Sequence, residues 1–192
     1  MTVRRVVAAL VVVLSAASVA GAQPYAYVPG RNYVYKVNTA DGSVTATIDL
    51  MTVDPFLGIG DVRAVAISPN GQRLYAATEF GNLVVANTAN NTAIAAVQLN
   101  ASGGSYAVAV SPDGQRAYVS NAGTVSIIDT SNNTLITTVN AVGSRLAVSP
   151  NGSKVFLVAH AALVRRIDTA PSLLRGVGAA GGGSGLRAKL HP

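Results

Sequence analysis

The alternation of apolar runs and turn-forming residues between Ala107 and Val139 predicts four short β-strands. Residues that favour strands are concentrated in four runs, which are Ala107–Val110, Arg116–Ser120, Thr124–Asp129 and Thr134–Val139. Pro, Gly, Asn and Asp separate these runs, and they adopt or tolerate the dihedral angles of tight turns. The stretch therefore predicts an antiparallel four-stranded meander, and no sustained helical period interrupts it.

Two turn motifs show that this unit is repeated along the chain. Ser-Pro-Asx-Gly turns begin at Ser68, Ser111 and Ser149, which are 43 and 38 residues apart. A second turn motif keeps the same step, at Asn38–Gly42, Asn87–Asn91, Asp129–Asn133 and Asp168–Ala170. Two markers in step at about 40 residues indicate a repeat architecture.

The repeat length and the number of strands together predict an all-β chain of β-propeller blades. Four short strands in about 40 residues are typical of one blade. The first strand of a unit, such as Ala107–Val110, is apolar on both faces and is therefore expected to be the innermost strand. The 146 residues from Gln23 to Asp168 amount to about three and a half units, and the first unit lacks its innermost strand. The expected fold is an incomplete β-propeller, either an open arc or a fragment of a ring.

Three motifs of the central unit resemble those of the YVTN-repeat β-propellers, namely Ala109–Gly114, Tyr118–Asn121 and Val125–Thr130. The resemblance covers the chain from Tyr25 to Ala170. It implies an exported or surface-layer protein whose motif residues are structural, and it carries over no catalytic residue. Other units depart from the motif, with Tyr75–Thr78 and Phe156–Val158 where Tyr-Val-Thr-Asn is expected, and with Lys36 and Arg166 at the position of Ile127. Those two charged residues predict strands that are less buried.

Residues 23–170 carry the repeats, and both ends of the chain differ from them. A basic pair, the apolar run Val6–Leu14 and the small residues Ala20–Ala22 are typical of a cleaved secretory signal over residues 1–22. The run is shorter than the about 20 residues of a membrane-spanning helix, so no span is expected after cleavage. Residues 171–192 are rich in Gly and Ala and predict a low-complexity, disordered tail. A truncated or frame-shifted end is favoured over a tail adapted to function.

Charge and composition narrow the classes of function. The formal charge is +6, but nine basic and eight acidic residues between Gln23 and Asp168 leave the repeats nearly neutral. No basic run of the kind that binds nucleic acid is present. The chain has no cysteine, only two histidines and a single glutamate, Glu79, and no pair of these has metal-ligand spacing. We therefore predict no catalytic residue, no metal and no cofactor.

The topology of a four-stranded meander predicts which surface would bind a ligand. The loop between the second and third strands and the connection to the next unit emerge on one face, and the two repeated turns emerge on the other. Variable loops on a rigid scaffold commonly carry binding residues. The long connection Met51–Asp61 is interpreted as a binding loop or, equally, as a solvated excursion. The candidate ligand-face residues are Arg31, Asn32, Asp54, Phe56, Asp61, Glu79, Phe80, Asn121 and His160.

The leading hypothesis is an exported binding or interaction module that recognises a protein or a small molecule. The alternative is a propeller enzyme, such as a lactonase-like hydrolase or a quinoprotein-type oxidoreductase, although the apolar innermost strands offer no axial ligands. A third hypothesis is a truncated, non-functional remnant of a longer propeller. An open arc also exposes sheet edges, which predicts self-association, and two chains completing one ring is one form of it. The predicted location is the periplasm, the cell surface or the surrounding medium.

Overall fold

The computed structural model describes residues 25–56, 58–99, 103–159, 164–169 and 176–177. These residues form antiparallel β-sheets and one short 3-10 helix, Leu50–Thr52. The predicted signal segment, the candidate residue His160 and all of the predicted tail except 176–177 lie outside the described residues. No helix in the described part is long and apolar enough to cross a membrane.

The described strands form four sheets. Sheet 1 contains β1 (Tyr25–Pro29), β2 (Tyr33–Asn38) and β3 (Val44–Asp49). Sheet 2 contains β4 (Val62–Ile67), β5 (Arg73–Thr78), β6 (Asn82–Asn87) and β7 (Thr92–Gln98). Sheet 3 contains β8 (Ser105–Val110), β9 (Arg116–Asn121), β10 (Thr124–Asp129) and β11 (Thr134–Asn140). Sheet 4 contains β12 (Arg145–Val148), β13 (Lys154–Val158), β14 (Val164–Asp168) and β15 (Gly176–Val177). Strands pair in chain order within each sheet, so each sheet is a meander.

Comparison of the sheets shows three described strands in sheet 1 and corrects one expectation about the end of the chain. The turn after β2 carries the same motif as the turn after β6, so β1 corresponds to β5, the second strand of sheet 2. Among the described residues, which begin at Tyr25, sheet 1 therefore has no counterpart of β4. At the other end, the sequence predicted no strand after Ala170, but Gly176 and Val177 pair with Ile167 and Arg166 of β14. A two-residue strand made of Gly and Val leaves no periodic pattern in the sequence.

The Ser-Pro-Asx-Gly turns fold through hydrogen bonds that their own side chains supply. In sheet 3, the Ser111 hydroxyl donates to Asp113 Oδ1, and Ser111 Oγ accepts the N–H of Arg116 at 2.9 Å. Gly114 has a φ of +73°, where a side chain would be strained. The equivalent serines of sheets 2 and 4 bond to asparagine in the same way. The repeated turn motif is therefore structural.

Apolar layers fill the space between consecutive sheets. Buried residues form the three layers, for example Val34 and Leu74 between sheets 1 and 2, Leu83 and Val119 between sheets 2 and 3, and Ile127 and Leu157 between sheets 3 and 4. Because side chains alternate along a strand, sheets 2 and 3 each pack one face on the sheet before and the other on the sheet after. The sheets follow one another face to face in chain order, which is how propeller blades are arranged.

Arginines at equivalent positions form hydrogen bonds from sheet 2 to sheet 3 and from sheet 3 to sheet 4. Arg73 Nη1 in sheet 2 donates to the main-chain carbonyl of Thr130 in sheet 3 at 2.6 Å. Arg116 Nη1 in sheet 3 donates to the carbonyl of Thr169 in sheet 4 at 3.0 Å. Hydrogen bonds from a charged donor are stronger than those between neutral groups. We call these bonds the cation ties.

Sheet 1 makes the same tie from a different strand. Lys36 Nζ on β2 donates to the carbonyl of Thr88 in sheet 2 at 3.1 Å. As predicted, Lys36 and Arg166 are only half-buried, whereas Ile127 is buried. Each cation tie is accompanied by a buried tyrosine, and burial raises the pKa of these phenols, which are Tyr27, Tyr75 and Tyr118. The repeated polar residues thus serve the contact between sheets.

Candidate functional site

The variable loops and the repeated turns lie at opposite ends of the sheets. At one end, the Thr88 hydroxyl donates to the Gly71 carbonyl at 2.6 Å, which joins the two repeated turns of sheet 2. At the other end, the turn between β5 and β6 contacts the loops that enter and leave the sheet. The N–H of Glu79 donates to the Asp61 carbonyl at 2.9 Å, and the N–H of Leu99 donates to the Gly81 carbonyl at 3.1 Å. The first end is the turn face and the second is the loop face.

Glu79 is the centre of the polar contacts on the loop face. Its Oε1 forms an ion pair with Arg63 Nη2, and its Oε2 accepts the N–H of Asp61 at 3.3 Å. The hydrogen bond from Asp61, together with the Arg63 side chain and the positive charge of Arg31, lowers the pKa of Glu79. The carboxylate is therefore ionised at neutral pH, and both members of the ion pair remain accessible to solvent.

An exposed aromatic ring lies beside this ion pair. Phe80 directly follows Glu79 in the chain and is 63% exposed. A Cβ atom on Gly58 would lie 3.3 Å from the Phe80 ring, and a Cβ atom on Gly60 would lie 3.0 Å from it. Gly60 also has a φ of +63°, which favours glycine. Because these two positions are glycines, the Phe80 ring can lie against the loop that leads into β4, where it remains exposed to solvent.

The connection to sheet 3 completes the site. A Cβ atom on Gly104 would lie 2.5 Å from the Glu79 carbonyl oxygen, so only glycine fits where this connection passes Glu79. Tyr106 follows and is 48% exposed. It sits at an irregularity in the pairing of β8 with β9, and Arg63 occupies the same irregularity in β4. Both residues lie five positions before the serine of their repeated turn.

Arg63 and Tyr106 were not among the sequence-based candidates. They were missed because the apolar run of each innermost strand was taken to begin one residue later. The available signal was a large polar or aromatic side chain at the same position of two repeats, directly before that run. At the register irregularity, both residues depart from the regular alternation of side chains between the two faces of the sheet. Residue type alone does not predict such an irregularity.

Most of the predicted candidates lie on the loop face, but Asn121 is not accessible there. Asn121 is 1% exposed and ends β9. Its Oδ1 accepts from the Ser105 hydroxyl at 3.0 Å, and its Nδ2 donates to Ser126 Oγ at 2.9 Å. The prediction that Asn121 belongs to an exposed ligand-face loop is therefore wrong, because its amide bonds three strands of sheet 3 to one another.

The remaining candidates fall into two groups. Arg31 and Asn32 form the turn between β1 and β2, and the Asn32 carbonyl accepts the N–H of Leu50 at 3.0 Å. Asp54 Oδ1 accepts the N–H of Phe56 at 2.9 Å, so it shapes the long connection after β3. Phe56 itself is 96% exposed. Of the candidates, Asp61 is hydrogen-bonded to Glu79, Phe80 follows Glu79 in the chain, and the positive charge of Arg31 acts on the Glu79 carboxylate.

The described residues offer few groups for chemistry beyond this cluster. No three of their His, Asp and Glu side chains are grouped so that they could hold a metal ion. A cavity of about 260 Å³ lies on the turn face between sheets 2 and 3, lined in part by Arg73, Asp113 and Thr130. Arg73 and Thr130 form a cation tie, and Asp113 caps its own turn, so these polar groups are already engaged. On the loop face, by contrast, a solvated ion pair lies beside an exposed ring.

Comparison with known proteins identifies the fold. No family model and no curated protein sequence matches the chain. Among 1282 matching chains of solved structures, one is from Kuenenia stuttgartiensis hydrazine synthase, with a TM-score of 0.66 and 18% sequence identity. The match covers 79% of this chain and 45% of that chain, so the protein spans less than half of that chain's length. The fold is an incomplete β-propeller. At this identity, and with so many matching chains, the likeness specifies the fold and no activity.

Proposed function

We propose that the protein is an exported binding module of the YVTN-repeat type, and that it binds its ligand on the loop face of sheets 2 and 3. The ligand site consists of Asp61, Arg63, Glu79, Phe80 and Tyr106. The observation that carries this proposal is the exposed Phe80 ring beside an ionised, solvated Arg63–Glu79 pair. Neither feature is needed to hold the sheets together, whereas the repeated residues on the turn face all are.

The chemistry of the site favours a ligand with an apolar group flanked by polar groups. An exposed aromatic ring contributes to affinity when a partner removes it from water, and aromatic residues are enriched at binding hot spots. Arg63 and Glu79 neutralise each other, so they supply hydrogen-bond geometry with little net charge. A peptide segment or a small amphipathic molecule has this composition, whereas the nearly neutral repeats give no reason to expect nucleic acid.

Export is part of the same proposal and has its own test. Residues 1–22 have the composition of a cleaved signal. We expect the full gene product, expressed in a bacterium with a general secretion pathway, to be found outside the cytoplasm with Gln23 as its first residue. The intact mass of the purified protein measures this. A cytoplasmic chain that retains residues 1–22 would contradict export without affecting the assignment of the site.

Fragment screening by two-dimensional NMR tests the site without a known ligand. A library of small amphipathic compounds is added to 15N-labelled protein, and the amide shifts locate where hits bind, since fragments concentrate at true binding sites. We expect hits to shift the amides around Glu79 and Phe80. Phe80→Ala should abolish those shifts, while Ile136→Ala, which removes another exposed apolar side chain, from the outer strand β11, should not. Hits that cluster on the turn face, or that survive Phe80→Ala, would overturn the proposal.

A further inference from the structure

One face of sheet 4 is exposed at positions that are buried in the other sheets. The aromatic residue of the second strand is 7% exposed in sheet 1 (Tyr27) and 1% exposed in sheets 2 and 3 (Tyr75 and Tyr118), because the following sheet covers it. The equivalent residue of sheet 4 is Phe156, which is 38% exposed. Val158 on the same face is 43% exposed. This face of sheet 4 has the residues of a contact between sheets, and no sheet of the described chain covers it.

The opposite face of sheet 1 is exposed in the corresponding way. Val84 in sheet 2 and Ser126 in sheet 3 face the preceding sheet, and both are 0% exposed. The equivalent position in sheet 1 is Tyr35, which lies on the other side of β2 from Lys36 and is 37% exposed. Val44 on β3, equivalent to the partly buried Leu135, is also exposed. Sheet 1 therefore has the face that a preceding sheet would cover.

The cation ties point to the same pairing of faces. Lys154 begins β13, as Arg73 begins β5 and Arg116 begins β9. The other two cations bond to a threonine carbonyl of the following sheet, but Lys154 Nζ has no hydrogen-bond acceptor among the described residues. The equivalent threonine of sheet 1 is Thr39. A carbonyl oxygen has two lone pairs, so the Thr39 carbonyl can accept Lys154 in addition to another donor.

We propose that sheet 4 of one copy of this chain docks on sheet 1 of a second copy, and that sheet 4 of the second copy docks on sheet 1 of the first. The three contacts within the chain are the template for this contact, and one chain carries both of the faces that it needs. The four described sheets of each copy would together place eight sheets around one axis, within the range of about four to eight blades that close a propeller. Two-fold closure satisfies both exposed faces of each copy and leaves none for further growth. This proposal concerns sheet faces and stands independently of the ligand site.

Three single substitutions test the contact. Phe156→Asp changes the exposed face of sheet 4, Tyr35→Asp changes the exposed face of sheet 1, and Ile136→Asp is the control. Ile136 is 49% exposed on the outer strand β11, away from both faces, so the control introduces the same charge at an exposed apolar position outside the proposed contact. Because all three side chains are accessible, we expect each variant to fold, which far-UV circular dichroism verifies. Sedimentation velocity should show dimers for the wild-type protein and for Ile136→Asp, and monomers for the other two.

A mixture of the two monomeric variants distinguishes this contact from others. Phe156→Asp retains an intact sheet 1 and Tyr35→Asp retains an intact sheet 4, so the mixture can form one of the two contacts. We expect mixed dimers whose dissociation constant is weaker than that of the wild type by on the order of 100-fold, because the second contact and its effective concentration are lost. A wild-type protein that is monomeric at every concentration, or that forms open polymers, would overturn the proposal. So would a failure of the mixture to associate, since a contact between two identical faces is lost in one variant and cannot be restored by mixing.

Discussion

Replacing Arg116 with methionine tests whether the cation ties hold neighbouring sheets together. The Arg116 guanidinium donates to the carbonyl of Thr169, a residue 53 positions away in the chain, at 3.0 Å. Thr169 is buried, so its carbonyl has limited access to water. Methionine retains a flexible apolar stem but has no donor, so the substitution removes the hydrogen bond and preserves much of the packing.

The structure sets the size of the expected effect. A hydrogen bond to a charged group contributes about 1.5–3 kcal/mol to the free energy of unfolding. Because Arg116 is only half-buried, water replaces part of the lost bond, and we expect a decrease of about 1–2 kcal/mol. For a domain of this size, that corresponds to a decrease in Tm of about 3–6 °C.

The assay is thermal unfolding at a protein concentration where sedimentation velocity shows monomers, with Lys154→Met as the control. Lys154 occupies the same position in sheet 4, but its Nζ makes no tie within the described chain, so its substitution should change Tm by less than about 1 °C. A spectroscopic titration of the Tyr118 phenol provides a second measurement for Arg116→Met. Burial raises the pKa of the Tyr118 phenol and the charge of Arg116 opposes that shift, so Arg116→Met should raise the pKa of Tyr118 further. Equal changes in Tm for the two variants would refute the reasoning.

Two further substitutions test the turns and the loop face. The Ser111 hydroxyl and the Gln115 N–H lower the pKa of Asp113, so its stabilising contribution is complete above the unfolded pKa of about 4 and is lost as the pH falls through the folded pKa. Sheets 2 and 4 already have asparagine at this position, so Asp113→Asn should leave Tm at pH 7 within about 2 °C of the wild type. The variant should lose less stability than the wild type as the pH falls below about 4. An equal loss of stability in acid would contradict the role given to the Asp113 carboxylate. Gly104→Ala places a Cβ against the Glu79 carbonyl and should cost about 1–3 kcal/mol while shifting the Glu79 and Phe80 amides in an NMR spectrum; unchanged amides would show that Gly104 does not constrain the site.

The strands and the turns could be predicted because their determinants are local. The predicted run Thr124–Asp129 is the observed β10, and Ala107–Val110 differs from β8 by two residues at its start. Proline and glycine at fixed positions punctuate the chain, and each turn closes through side chains no more than five residues apart. The period of the turns then determined the number of strands per sheet. This is why the fold could be inferred without knowing any contact between sheets.

The contacts between sheets could not be predicted in the same way. The tie from Arg116 to Thr169 joins residues whose separation reflects the packing of two sheets, and nothing in the local sequence of either residue shows it. The tie from Lys36 is even harder to predict. Lys36 lies on a different strand of its sheet from the strand that carries the arginines, yet it bonds to the equivalent threonine carbonyl. The sequence did show that a charged residue replaced Ile127, but it did not show what that charge bonds to.

The sequence and the structure propose overlapping sets of residues for the candidate site. Glu79, Phe80 and Asp61 were proposed from the sequence because topology sends their loops to one face. Asn121 was wrongly included because its position at the end of a strand resembles a loop, whereas two serines from neighbouring strands hold its amide inside sheet 3. Arg63 and Tyr106 were missed because the register irregularities that expose them depend on pairing with the next strand.

The account's central claim is that stability resides in the repeated turn face and that binding resides on the loop face. The most direct test compares the thermal unfolding of two double variants, Arg63→Ala with Phe80→Ala on the loop face, and Arg73→Met with Arg116→Met on the turn face. We predict that the loop-face variant unfolds within about 2 °C of the wild type, since exposed substitutions change stability little, and that the turn-face variant unfolds about 6–12 °C lower. A loop-face variant that loses as much stability as the turn-face variant would contradict the claim, because Arg63 and Phe80 would then be structural residues.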